Sequence, residues 1–291
     1  MVDGIHGGSP SFRQSPAIES PTHSSSRESV LDASLQGRVA LITGGGTGVG
    51  RATGIGLARA GVRVTLVGRR EERLKATAAL IEEVGGESLV AVGDIGAADD
   101  VDQVFAAHEE RFDGHLDILV NNAGITGPTA RVADMDTEEW DETLRVNLTG
   151  PMLCSKRALP ALRASGHGRI INVSSLSAYH ARPARSPYAA SKAGLLALNR
   201  TLAHEEGANG VLVNCICPGT IAGERIEGVL TKRAAERGTT PEEERRLRES
   251  QTPIGRILEP EEIANMCIFL ASDLASGITG EVINVAGGRQ S

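Results

Sequence analysis

The chain has 291 residues, 40% apolar and 23% charged, with a net charge of −7, a make-up that fits two domains of about 150 residues or one large α/β domain. The acidic balance and the scarcity of aromatics (four Phe, two Tyr, one Trp) exclude phosphate-backbone binding and base stacking, so no nucleic-acid partner is expected. No apolar run approaches the about 20 residues that cross a bilayer and no secretory pattern opens the chain, so a cytoplasmic protein without a membrane partner is expected.

Residues 1–34 carry Ser9-Pro10, Ser15-Pro16, Ser20-Pro21 and a serine run at 24–26 without hydrophobic period, which predicts a disordered tail. The texture changes near Arg38, and 35–291 reads as one domain. Apolar runs at 39–42, 62–67, 89–92, 116–120, 170–173, 211–217 and 282–285 read as buried strands, separated by segments of helical spacing. About seven such strands joined by helix-length crossovers predict a doubly wound parallel sheet with helices on both faces. The stretch 223–251 breaks this rhythm, because acids and bases crowd it and only Ile226, Val229 and Leu230 make an apolar stripe. Gly238 ends a first helix there, and Thr240-Pro241-Glu242-Glu243 starts a second with a capping box. A helical lid resting over a cleft is predicted; a solvated surface insertion is the alternative. Cys154, Cys215, Cys217 and Cys267 are too scattered for a disulfide framework. Cys215 and Cys217 share a strand face but lack a second ligand pair, so core packing and no metal are expected.

The first strand runs into Thr43-Gly44-Gly45-Gly46-Thr47-Gly48-Val49-Gly50 and then into an apolar helix. Glycines there permit a tight turn and close approach to a diphosphate, and the helix start offers free N–H groups. Gly44, Thr47, Gly48 and Val49 are the candidate phosphate contacts. The second strand ends in Gly68-Arg69-Arg70, where an acid would instead bind a ribose 2′-hydroxyl and repel a 2′-phosphate. A guanidinium at Arg69 suits a 2′-phosphate. NADP(H) is therefore favoured, with NAD(H) possible.

Tyr188 opens Tyr188-Ala189-Ala190-Ser191-Lys192. Four residues apart, Tyr188 and Lys192 lie on one helical face. A phenol titrates near pH 10, and an adjacent ammonium lowers that value and makes the phenol a usable general acid or base. The fifth strand ends in Ser174-Ser175, whose hydroxyls can meet a carbonyl oxygen.

These motifs resemble those of the short-chain dehydrogenase/reductase family over Arg38 to Gly288, and the resemblance implies a Rossmann-type fold. It implies that Asp94 and Ile95 meet the adenine. Asn121, heading Asn121-Asn122-Ala123-Gly124, ends the fourth strand beside the cofactor. By the same likeness Asn147, Ser175, Tyr188 and Lys192 form a catalytic tetrad, with Lys192 and Tyr188 also touching the nicotinamide ribose. Pro218, Gly219 and Ile221 then line the nicotinamide. One departure stands out: Gly223 occupies the place of a threonine common in the family. The implied activity is hydride transfer between a nicotinamide cofactor and a small carbonyl or alcohol substrate, in a homodimer or homotetramer. A 3-oxoacyl-thioester reductase is the alternative, and a non-catalytic dinucleotide-binding regulator a further one. Leu176 to Pro187, including His180 and Arg182, is expected to line the substrate pocket.

Overall fold

The computed structural model describes residues 34–180 and 182–289; the predicted tail at 1–34 lies almost wholly outside them. The elements follow in order: β1 Val39–Thr43, α1 Gly48–Arg59, β2 Arg63–Gly68, α2 Glu71–Glu83, β3 Ser88–Val92, α3 Ala98–Phe112 and β4 Ile118–Asn121. Then come α4 Thr137–Leu144, a π turn Arg145–Thr149, α5 Gly150–Ser165, β5 Arg169–Val173, α6 Ser186–Glu206 and β6 Leu212–Pro218. The chain closes with α7 Glu224–Arg237, α8 Pro241–Ser250, α9 Pro260–Ala271 and β7 Val282–Val285.

The seven strands form one sheet in the order β3-β2-β1-β4-β5-β6-β7, and every pairing is parallel. Successive side chains on a strand point to opposite faces. In β1, Ala40 and Ile42 join a core with Leu57, Leu66, Ile81 and Ile263, while Leu41 joins a second core with Phe105, Leu119 and Leu162. Both faces are apolar because helices cover both, which is why the strands read as continuous hydrophobic runs rather than alternating ones. The strand order reverses between β1 and β4, so their carboxyl ends diverge and open a crevice.

The opposite end of the sheet is closed by polar ties. Arg38, buried, donates to the Ala271 carbonyl (2.8 Å) and pairs with Asp273 (2.6 Å). The four cysteines are buried in the core, as their apolar surroundings predicted. Burial pushes the Cys154 and Cys267 thiols up to about 12.

Candidate active site

The crevice is a cleft of about 1450 Å³, more than one drug-sized ligand fills. Its floor is the glycine-rich turn after β1. Gly44 has φ +69°, and a Cβ there would lie 2.9 Å from both Ala123 Cα and Asn122 Nδ2. A Cβ on Gly50 would lie 2.3 Å from the Gly44 carbonyl oxygen, so α1 approaches the turn as only glycine permits. Thr43 stitches β1 to β4: its hydroxyl accepts from the Asn122 and Ala123 N–H groups at 3.0 and 3.1 Å. The Asn122 amide donates to the Thr43 carbonyl at 2.9 Å. At the start of α1, Thr47 makes no side-chain cap and the first turn holds no acid. Its leading N–H groups are therefore open to an anion, and the helix dipole favours one. Glycine cradle and open helix start together fit a dinucleotide diphosphate.

Gly44, Thr47, Gly48 and Val49 all line this part of the cleft. Asn121 does not. Its side chain is buried and donates to Ser155 (3.2 Å) and Asn172 (2.9 Å). β4's alternation turns the Asn121 side chain into the core and gives the cleft to that of Asn122.

At the β2–β3 edge, Arg69, Asp94 and Ile95 line the wall. Burial raises the Asp94 carboxyl, but the Arg145 guanidinium at 2.8 Å and the Gly96 N–H at 3.0 Å outweigh it and hold the pKa below the ordinary aspartate value. Arg145 is itself forked onto Glu142. Nothing near Arg145 in the chain signals this partnership, since Asp94 lies in another crossover.

The opposite wall carries Ser175, Tyr188 and Lys192. Lys192 Nζ donates to the Val173 carbonyl at 2.8 Å, and Ser174 Oγ donates to the Lys192 carbonyl at 2.9 Å, clamping α6 to the end of β5. Lys192 Nζ sits 6.0 Å from the Tyr188 ring centre and the Arg185 guanidinium 5.2 Å from it, so cations flank the phenol. Burial lowers the Lys192 pKa, and the charge of Tyr188 opposes that. Ser175 Oγ accepts from the Ser177 N–H at 3.1 Å, which leaves its O–H free to donate.

Asn147 stands behind this wall, fully buried in the π turn. Its Nδ2 donates to the Ile125 carbonyl (2.9 Å) and to Ser191 Oγ (3.1 Å), and its Oδ1 accepts from the Ile125 N–H (2.8 Å). A Cβ on the intervening Gly124 would come within 3.0 Å of Asn147 Oδ1 and 3.5 Å of Lys192 Nζ. The amide thus fixes the 124–125 turn against the lysine. Single π turns recur at functional sites.

Pro218, Gly219 and Ile221 line the cleft where β6 ends. Ala222 donates to the Leu258 carbonyl (2.7 Å) and Leu258 to that of Thr220 (3.0 Å), so backbone pairing holds this segment. Gly223 has φ +127°, a conformation hostile to threonine, and caps α7. The departure seen in the sequence is a backbone requirement. Helices α7 and α8 form over 224–251 as expected, with Gly238 in the left-handed region and the Thr240–Glu243 capping box in place. α7 overhangs the cleft: Glu224 pairs with Arg73 (3.0 Å) and Arg225 donates to the Gly124 carbonyl (2.7 Å).

The family model described as enoyl-(acyl carrier protein) reductase matches residues 44–290. The chain belongs to the short-chain dehydrogenase/reductase family. It is 40% identical to an uncharacterized oxidoreductase of Thermotoga maritima over 87% of this chain and 98% of that one. It is 38% identical to the 3-oxoacyl-[acyl-carrier-protein] reductase FabG of Aquifex aeolicus over 89% and 99%. The solved structure of actinorhodin polyketide ketoreductase with NADPH superposes with a TM-score of 0.83 at 32% identity, covering 87% of this chain and 97% of that one. NAD+-bound xylitol dehydrogenase does so with 0.82 at 28%, covering 87% and 99%. As a short-chain dehydrogenase/reductase, the protein is a nicotinamide-dependent oxidoreductase acting on a carbonyl/alcohol pair. Among the described residues no helix is long and apolar enough to cross a membrane. None of them form a group of three His, Cys, Asp or Glu that could hold a metal.

Proposed function

We propose that this chain is an NADP(H)-preferring carbonyl reductase or alcohol dehydrogenase in which Tyr188 is the general acid/base. The observation that carries the reading is the convergence of Tyr188, Lys192 and Ser175 on the wall opposite the diphosphate cradle. When bound, the nicotinamide supplies or accepts the hydride. Tyr188 Oη gives a proton to the substrate oxygen in reduction and takes it back in oxidation. Ser175 donates its free O–H to the same oxygen. Lys192 spends one of its three donors on Val173 and keeps two for the cofactor ribose and the tyrosine side. Its charge favours the phenolate at the moment of transfer. Asn147 positions the Gly124–Ile125 turn and links the site toward solvent.

Arg69 supports the NADP(H) preference. It lines the cleft directly after β2, no acid stands between that strand and α2, and Arg73 lies one helical turn farther on. A charge-assisted hydrogen bond to a 2′-phosphate is worth about 1.5–3 kcal/mol, roughly 10- to 100-fold in affinity. Thermal shifts with NADPH and NADH test this: Arg69→Ala should erase an NADPH advantage of that size, and equal shifts in the wild type would sink the argument. Against a panel of ketones, Tyr188→Phe should lose about 10²- to 10⁴-fold in kcat while still giving a shift with NADPH. Retained turnover in that variant would remove Tyr188 from the role. The reading also implies a cytoplasmic enzyme that works as a homodimer or homotetramer. A 3-oxoacyl-thioester reductase is the second reading, favoured by the likeness to FabG.

A further inference from the structure

Many of the described arginines pair with an acid. Arg163 forks onto Glu206, Arg145 onto Glu142, Arg256 onto Glu262, and Arg157 reaches Glu109. Four others do not. Arg182 (before α6), Arg233 (α7), Arg248 (α8) and Arg289 (after β7) line the same cleft. Among the described residues, none of these four guanidinium groups makes a hydrogen bond or an ion pair. Glu244, whose charge acts on Arg248, is already engaged by Arg237 and Thr239.

The four act on one another. Burial first, then the charges of Arg233, Arg182 and Arg289, bring Arg248 down to about 10. Arg182 is lowered by burial and then by Arg289, Arg233 and Arg185. Arg248 is only 6% exposed. A largely buried arginine crowded by like charges and without a carboxylate partner is stabilised when an anion meets it. Four elements bring these arginines into one cleft, within electrostatic reach of one another.

The cluster also adjoins the reacting end of the cleft. Arg182 lies within electrostatic reach of Tyr188, and Arg185, in the same turn, covers the Tyr188 ring. The cofactor cradle is formed by other residues, around Gly44, Thr47 and Arg69.

We propose that the substrate carries, beside its reacting carbonyl or alcohol, a carboxylate or phosphate group held by Arg182, Arg233, Arg248 and Arg289. The inference rests on the carbonyl/alcohol reading for the word substrate; the anion site itself does not need it. Planar carboxylates and tetrahedral phosphates both accept forked guanidinium donors.

Two arms test it. In the first, the protein without cofactor is heated with succinate or inorganic pyrophosphate at constant ionic strength. At about ten times Kd, Tm should rise by about 3–6 °C. The shift should persist in Arg69→Ala, which touches only the cofactor side, and vanish in Arg248→Gln. Arg248→Gln should also melt no lower than the wild type without anion, since it removes a crowded buried charge; a merely structural arginine would give a large drop. No shift with either anion, or an equal shift in Arg248→Gln, overturns the proposal.

The second arm measures NADPH-dependent reduction. Acetoacetate is compared with methyl acetoacetate, and acetoacetyl-CoA with its neutral N-acetylcysteamine thioester. One charged partner should win by about 10- to 100-fold in kcat/KM, mostly through KM, and lose that margin in Arg248→Gln. An acetoacetate advantage assigns a carboxylate, a coenzyme A advantage a phosphate, and measurable turnover without either advantage overturns the proposal. Should none of the four turn over, the carbonyl reading fails on these substrates and the anion shift decides the arginine site alone.

Discussion

Gly50→Ala separates helix propensity from close packing. By propensity alone, alanine in the first turns of α1 should gain up to about 1 kcal/mol over glycine. The tertiary structure predicts the opposite sign. The new Cβ would sit 2.3 Å from the Gly44 carbonyl oxygen, 2.5 Å from Asn122 Nδ2 and 2.8 Å from the Gly44 carbonyl carbon. Gly44 is held in place, because its N–H is bound to the Val67 carbonyl at 2.8 Å and Ala123 Cα lies 2.9 Å from where a Gly44 Cβ would stand. α1 must therefore lift by about 1 Å, and overpacking of that kind costs about 1–3 kcal/mol. Taking the upper end and crediting the propensity leaves about 2 kcal/mol of destabilisation, or a Tm lower by about 4–8 °C. The helix start that receives the diphosphate moves with it, so NADPH affinity should fall by about two orders of magnitude. Differential scanning fluorimetry and an NADPH titration read both effects. Gly228→Ala in α7 is the control: nothing lies within 4 Å of its Cβ, and it should stabilise by up to about 1 kcal/mol. If Gly50→Ala behaves like Gly228→Ala, with unchanged cofactor affinity, the close approach of helix and turn is refuted.

Three further outcomes follow from the ionisable groups. Arg163→Ala leaves Glu206, 3% exposed, with only Asn209 as a partner; because Arg163 itself is half in solvent, the loss should be smaller than that of a fully buried pair, read as a lower midpoint in urea. The Arg256 fork and the Glu259 N–H hold Glu262 at about 2 in the folded chain. A depressed carboxylate stabilises above its unfolded value near 4.3 and loses that contribution as pH falls toward 2, so the Tm gap between wild type and Glu262→Gln should close between pH 5 and pH 2. A gap constant over that range would show that the fork does not hold in solution. All four cysteines are buried, and Cys154 and Cys267 sit at about 12; a thiol reagent at pH 8 should label none in the native protein within minutes and four after denaturation. Fast native labelling would contradict the packing around them.

By itself the sequence determined the sheet, the cradle and the Tyr188–Lys192 pair. Strands buried on both faces must be apolar at every position, so β1, β4 and β6 stand out as continuous runs bounded by polar turns. Tyr188 and Lys192 are one turn apart on a single helix, and the Gly44–Gly50 loop is contiguous, so their geometry is local and legible. The two helices of 224–251 were equally legible from Gly238 and the Thr240 capping box.

Tertiary structure alone decided which charges meet. Asn121 and Asn122 are neighbours of the same residue type, and only the register of β4 sends one into the core and the other to the Gly44 turn. The Arg145–Asp94 contact joins residues 51 apart, and Asn147 reaches Ile125 and Ser191 across 22 and 44. Arg182, Arg233, Arg248 and Arg289 come from four separate elements, and in the sequence Arg233 and Arg248 stand near acids that the fold pairs elsewhere or leaves in solvent. Electrostatic interaction depends on distance and burial rather than on chain separation. The charge pattern read along the chain pointed to a helical lid, with a solvated insertion as the alternative, and only the packing of that pair over the cleft brought Arg233 and Arg248 to its lining.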